Sequence, residues 1–328
     1  MKRLAALILV FMFVLAGCTP APVPPEPPEP ADRTTFRIAS LKGPTTMGIV
    51  NLMADVGAGT ARHDYQFTMY GKADEITGLL ATGGVDVALI PCNLAAVLYQ
   101  RLEGAVQMAG INTLGVLYFV ETGDTIHSVE DLRGKTIYTT GKGTTPEFAL
   151  NYVLAKNGID PAADVTIEYK SESTEVAAML AGGDDIIAML PQPYVATVMA
   201  KNDKVRICLD LTEEWENASE DGSTIVTGVV CVRTAFAQEY PEAFAEFMED
   251  YRASVDKVAT DPDDAAALIG SYDIVPEAIA KAALPYCNIT LLTGDEMTAK
   301  TDGYLAALYE QNPDSVAGKL PDEDFYLK

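Results

Sequence analysis

The chain has 328 residues, with 23 Lys and Arg against 47 Asp and Glu, for a formal charge of −24. That length exceeds what one hydrophobic core usually serves, and 48% hydrophobic residues exclude wholesale disorder. The acidity argues against a nucleic-acid partner, because phosphate contacts need basic surface, and two His with five scattered Cys leave little material for a metal or iron–sulfur site.

Lys2 and Arg3 form a short positive start, and Leu4 to Leu15 is an apolar run of signal-peptide length, too short to span a bilayer. It ends in Leu15-Ala16-Gly17-Cys18, which resembles a bacterial lipobox. The resemblance implies cleavage after residue 17 and lipidation of Cys18. Residues 1–17 hold two positive charges and no acid, so their removal takes the charge from −24 to −26. The segment 18–33 carries seven prolines after Cys18. Proline joins neither helix nor sheet ladders, so this is a polyproline-II-like tether of roughly 3.1 Å per residue.

From residue 34 strands and helices alternate. Phe36–Ser40 reads as a strand, Thr46–Val56 as a helix, Tyr65–Tyr70 as a strand, Ala73–Thr82 as a helix and Val85–Pro91 as an apolar strand. This βαβαβ order implies a parallel sheet with helices on its faces. The order recurs 100 residues on, at 136–140, 147–157, 165–170, 175–181 and 185–190. Aligned without gaps, 36–91 and 136–191 share 11 identities in 56 positions, among them Lys42/Lys142, Gly43/Gly143, Thr45/Thr145 and Pro91/Pro191. Two equivalent α/β lobes follow.

In open parallel sheets a ligand sits beyond the carboxyl ends of the strands. There the first lobe carries Ser40, Leu41, Lys42, Gly43, Pro44, Thr45 and Thr46, and the second carries Gly141, Lys142, Gly143, Thr144 and Thr145. Glycine permits close backbone approach, threonine supplies hydroxyls, and a helix N-terminus supplies free N–H groups. Each loop also has a lysine as a charge partner for an anion. The third strands end at Pro91-Cys92-Asn93 and Pro191-Gln192-Pro193-Tyr194, where Asn93, Gln192 and Tyr194 can fix a polar ligand with neutral hydrogen bonds.

Leu114–Glu121 and Thr224–Val232 are apolar, β-branched runs that read as two extended crossings between lobes. Helices follow from Pro241, after Asp261, from Pro276 and from Asp295. The acids at 261–264 lack calcium-loop spacing and suit a helix start. Cys208 and Cys231 lie in strand-like runs, and either a bridge between them or buried free thiols fits. His63 and His127 read as surface residues. The chain has no Gly-x-Ser-x-Gly elbow and no phosphate-binding lysine loop, which argues against an enzyme.

Together, the lipobox, Lys42–Thr46, Leu132-Arg133-Gly134-Lys135, Leu190–Tyr194, Pro241–Phe244 and Pro262–Ala266 resemble the type II solute-binding proteins of ABC importers. The nearest branch is the one for nitrate, sulfonate, taurine and thiamine-precursor uptake. The resemblance implies a two-lobed Venus-flytrap fold, each lobe a mixed, mostly parallel sheet flanked by helices. It places 34–119 with 233–328 in one lobe and 120–232 in the other. It implies an exported, lipid-anchored monomer at the outer face of the cytoplasmic membrane. Its partners would be a small solute, a permease and an ATPase; no cofactor or metal is called for. The expected solute is a small organic anion such as a sulfonate, or a nitrate-like anion. A pyrimidine of the thiamine-precursor class is the alternative, as is service to a sensor or another transporter class. Related sequences carry Glu where Gln192 stands, and the neutral Gln favours an anion.

Overall fold

The computed structural model describes residues 33–328. The signal segment, Cys18 and nearly all of the proline-rich segment lie outside the described residues. The first sheet begins with β1 (Thr35–Leu41), followed by the short helix α1 (Pro44–Met47) and by α2 (Val50–Ala58). Then come β2 (Asp64–Tyr70), α3 (Ala73–Thr82), β3 (Val87–Pro91), α4 (Cys92–Arg101) and β4 (Val106–Leu114). The second sheet takes β5 (Leu117–Glu121), β6 (Thr136–Thr139), α5 (Thr145–Lys156), β7 (Thr166–Tyr169), α6 (Ser173–Gly182), β8 (Ile187–Pro191), α7 (Tyr194–Met199), β9 (Arg206–Asp210) and α8 (Leu211–Ala218). The chain then returns to the first sheet with β10 (Val226–Arg233) and α9 (Thr234–Glu239). It ends in α10 (Pro241–Thr260), α11 (Pro262–Ser271), α12 (Glu277–Ala283), β11 (Ile289–Leu292) and α13 (Gly294–Gln311).

The strand orders are β11-β4-β10-β3-β1-β2 and β7-β6-β8-β5-β9. In the first sheet β2, β1 and β3 are parallel and β10 is antiparallel to β3. In the second, β7, β6 and β8 are parallel and β5 is antiparallel to β8. The period-100 repeat therefore exists in space: α3 and α6 span equivalent residues, as do β3 and β8. The antiparallel neighbours are exchanged between halves. The first sheet takes a strand made after the second sheet, and the second takes one made directly after β4.

Strand alternation supplies the layers. On β3, Val87 and Leu89 face a cluster with Phe36, Phe247 and Tyr251, while Ala88 and Ile90 face one with Ile76, Leu80 and α4. On β8, Ala188 and Leu190 meet Val176 and Leu180 of α6, while Met189 joins Phe148 and Trp215. That last cluster runs on through Tyr304, Leu305 and Leu308 of α13 to the first sheet. Tyr152 stacks on Trp215 at 3.8 Å between ring centroids.

Three sequence expectations are corrected, and the open question of Cys208 and Cys231 is resolved. The single helix over 46–56 is two, because the chain breaks at Gly48, where a Cβ would lie 3.0 Å from Ile289 Cγ2 and 3.2 Å from Val255 Cγ2. The runs at 114–121 and 224–232 hold β5 and β10, each wholly in one sheet, so the chain changes sheets at 115–116 and over 219–225. The expected limits 119/120 and 232/233 cut through these two strands, whose uniform apolar character marks no boundary. Cys208 and Cys231 lie in different sheets and both are free, with burial pushing each thiol up to about 12. His63 is buried, not surface-exposed: Thr34 N–H donates to its Nδ1, and its Nε2 lies 2.9 Å from Glu246.

Candidate functional site

The carboxyl ends of β3 and β8 meet the start of α5 at a cavity of about 350 Å³. The first sheet contributes Pro91 at the end of β3, Asn93 and Leu94 from the first turn of α4, and Thr227 of β10. The crossing contributes Val116, and the second sheet's side contributes Leu117 of β5, Thr144, Thr145, Pro146 and Pro191. No charged side chain is among these lining residues.

Local sequence explains each position. Gly141 has φ +77°, and a Cβ there would lie 2.7 Å from Thr144 Oγ1. Only glycine lets the Thr144 hydroxyl donate to the Gly141 carbonyl at 2.6 Å. Thr145 and Pro146 then open α5, with Pro at a position that needs no N–H. Glu147 follows in the first turn and accepts the Gly143 N–H. Thr145 Oγ1 receives the Tyr304 hydroxyl at 3.3 Å. Tyr304 is fully buried, and burial pushes its hydroxyl pKa up, so it donates across the working pH range.

On the other wall α4 starts without a side-chain cap. Asn93 Nδ2 donates to the Ser315 carbonyl at 3.4 Å. Cys92 beside it is buried, and burial alone pushes its thiol up. It is therefore a protonated packing group, not a nucleophile.

The remaining expected site residues lie elsewhere. Thr46 is fully buried, and its hydroxyl lies 2.8 Å from Ser40 Oγ and 2.7 Å from the Leu41 carbonyl. Thr45 is buried against β10, with Asn112 Nδ2 donating to its carbonyl at 3.2 Å. Gly43 and Pro44 begin α1, which is only four residues long. Lys42 pairs with Asp273 at 3.2 Å. Lys142 stands 5.7 Å from the Tyr169 ring centroid. Gly143 precedes α5 and bonds Glu147, as described. Gln192 is buried, and its Oε1 accepts the Ala196 N–H of the following helix α7 while Nε2 has no partner. Tyr194 opens α7 and is partly buried against Val195 and Val198. Of the expected residues, Asn93, Thr144 and Thr145 thus meet at one cavity. Sequence reasoning missed Leu94, Val116, Leu117 and Thr227; a βαβαβ pattern alone does not bring the crossing to the strand ends.

A family model described as the phosphonate ABC-transporter periplasmic substrate-binding protein matches residues 49–267. The chain belongs to this family. Solved structures share the fold of this family member. An ABC transporter protein from Parabacteroides distasonis is 23% identical, with 90% of this chain and 99% of that chain covered and a TM-score of 0.75. The periplasmic aliphatic sulphonate binding protein SsuA from Escherichia coli is 15% identical, with 89% and 95% covered and a TM-score of 0.69. At these identities the likeness establishes the fold alone. A Bacillus subtilis (strain 168) protein named "Putative binding protein YtlA" is 28% identical over 134 residues, 39% of each chain. The match thus spans about two fifths of that relative's length. Among the described residues no helix is long and apolar enough to cross a membrane.

Proposed function

We propose that this solute-binding component captures one small molecule in the cavity between the two sheets and delivers it to a membrane permease driven by an ATPase. The observation that carries the reading is that walls from both sheets and from the crossing line one cavity. A ligand touching both halves makes all its contacts only when they are closed together, so binding favours closure. In this reading the halves are lobes that move about the crossings at 115–116 and 219–225. Asn93, Thr144 and Thr145 contact the solute. The apolar run ending at Leu15-Ala16-Gly17-Cys18 supports export and lipid anchoring through Cys18, with the proline-rich segment as tether. The finer expectation, a small organic anion such as a sulfonate, drew its support from the resemblance to the nitrate and sulfonate branch, from the neutral Gln192 and from Lys42 and Lys142.

Native mass spectrometry of the purified protein tests the capture reading. One small molecule per chain, released on unfolding, is the expected result. Small-angle scattering should contract when that molecule is added back to stripped protein. Folded protein that retains nothing, and that responds to nothing in a broad solute screen, would overturn the reading.

A further inference from the structure

At the end of the second sheet away from the solute cavity lies another cavity, of about 450 Å³, a size common for small-molecule sites. It lies where β6 and β8 part. These strands pair only at Tyr138 and Ala188, whereas β1 and β3 pair at three positions. The first sheet ties the corresponding end with three charges. Arg37 Nε donates to Asp86 Oδ2 at 2.9 Å, and Arg233 Nη1 donates to Asp86 Oδ1 at 3.3 Å. The sequence shift of 100 puts Ile137 and Ile186 at the places of Arg37 and Asp86. Thr122 takes the place of Arg233: its N–H donates to the Ile186 carbonyl, as the Arg233 N–H donates to that of Asp86. The second sheet thus lacks the ion cluster that joins the strands of the first.

The charges lining this cavity differ in their freedom. Glu121 is already satisfied: the Thr125 hydroxyl, the N–H groups of Thr125 and Ile126, and Arg206 all donate to it. Lys135 and Asp185 also line the cavity. Neither side chain has an ion-pair or hydrogen-bond partner among the described residues, and they do not pair with each other. Lys204 acts on Asp185 only from a distance, being held by Asp184 at 2.8 Å. A ligand with one charge is attracted by one of the two free groups and repelled by the other. A ligand with both signs satisfies both. Ile186, Ile187 and the Tyr138 ring supply an apolar part of the wall.

We propose that this cavity is a second binding site, taking a small zwitterion of the free amino-acid class with its carboxylate on Lys135 and its ammonium on Asp185. Every lining residue belongs to the second sheet or its loops, so the site stands independently of the capture reading.

The test uses the full chain purified in detergent. Calorimetry is run with L-alanine, L-glutamine, L-lysine and L-glutamate, and with propionate and ethylamine, which carry one charge each. The expected result is one amino acid bound per chain more tightly than about 1 mM, with propionate and ethylamine about ten-fold weaker or worse. Its affinity should fall several-fold between roughly 0.05 and 0.5 M salt, because both contacts are screened. Hydrogen–deuterium exchange locates the site: amides at 121–125, 134–136 and 185–187 should slow, and those at 91–94 and 144–146 should not. Lys135→Met and Asp185→Asn should each weaken binding about ten-fold or more, with thermal midpoints unchanged because neither group has a partner to lose. Binding of none of the four amino acids would overturn the proposal. So would slowed exchange at 91–94 and 144–146 instead, equal binding of the single-charge controls, or full affinity in either variant.

Discussion

The loop at 40–46 and the loop at 140–146 occupy the same place in the repeat and share Lys, Gly and Thr, yet only the second reaches the cavity. In the first, the helix breaks after four residues, and Thr46 turns its hydroxyl inward to Ser40 and the Leu41 carbonyl. In the second, α5 runs on for 12 residues, and Thr144 and Thr145 stand at its start in the cavity wall. The difference is made by β10. It lies against the first loop so closely that a Cβ on Gly228 would meet Thr45 Cγ2 at 2.6 Å and Asn112 Oδ1 at 2.5 Å. One copy of the repeated loop is packed beneath β10, and the other lines the cavity.

Substitutions can break this contrast. The largest effect is expected for Gly228→Ala, which wedges a methyl between β10 and the first loop. It should cost about 2–3 kcal/mol, seen as a clear drop in thermal midpoint. Thr46→Val leaves buried acceptors without their donor and should cost about 1–2 kcal/mol, with solute affinity unchanged by calorimetry. Thr145→Val should do the reverse. Its stability loss should stay under about 1 kcal/mol, while affinity falls about ten-fold, equivalent to about 1.4 kcal/mol. Equal effects of the two threonine changes on binding would erase the asymmetry. Lys42→Met removes an exposed ion pair and should cost under about 0.5 kcal/mol, again without a change in affinity.

The far ends of the sheets add a pH signature. Glu121 is almost wholly buried. Burial opposes its ionisation, but the N–H groups of Ile126 and Thr125, the Thr125 hydroxyl and the Arg206 guanidinium outweigh it, holding the carboxyl below its ordinary value. A depressed folded value stabilises the protein above the unfolded pKa of about 4.3 and is lost as pH falls through and below that point. The stability gap between the native chain and Glu121→Gln should therefore shrink in urea titrations run at successively lower pH below about 4. A gap constant down to pH 3 would show that the ionised form contributes nothing.

The repeat was readable because side-chain periodicity and Gly, Pro and Thr punctuation are local. The spans of α3 and α6 follow directly from it. The failures all depend on distant partners. Lys42 looked free for an anion until Asp273, 231 positions away, came beside it. His63 read as exposed because Glu246 is far along the chain. Local pattern therefore located the strand ends correctly and could not say which side chains there were still available.

The exchange of antiparallel strands also governs the order in which the molecule can be made. The second sheet is one unbroken stretch of chain and can form as soon as residue 210 is available. The first sheet cannot. Until Val226–Arg233 is delivered, β3 and β4 have no strand between them, and their open edges invite pairing with other chains. The half that leads during synthesis is thus the half completed last.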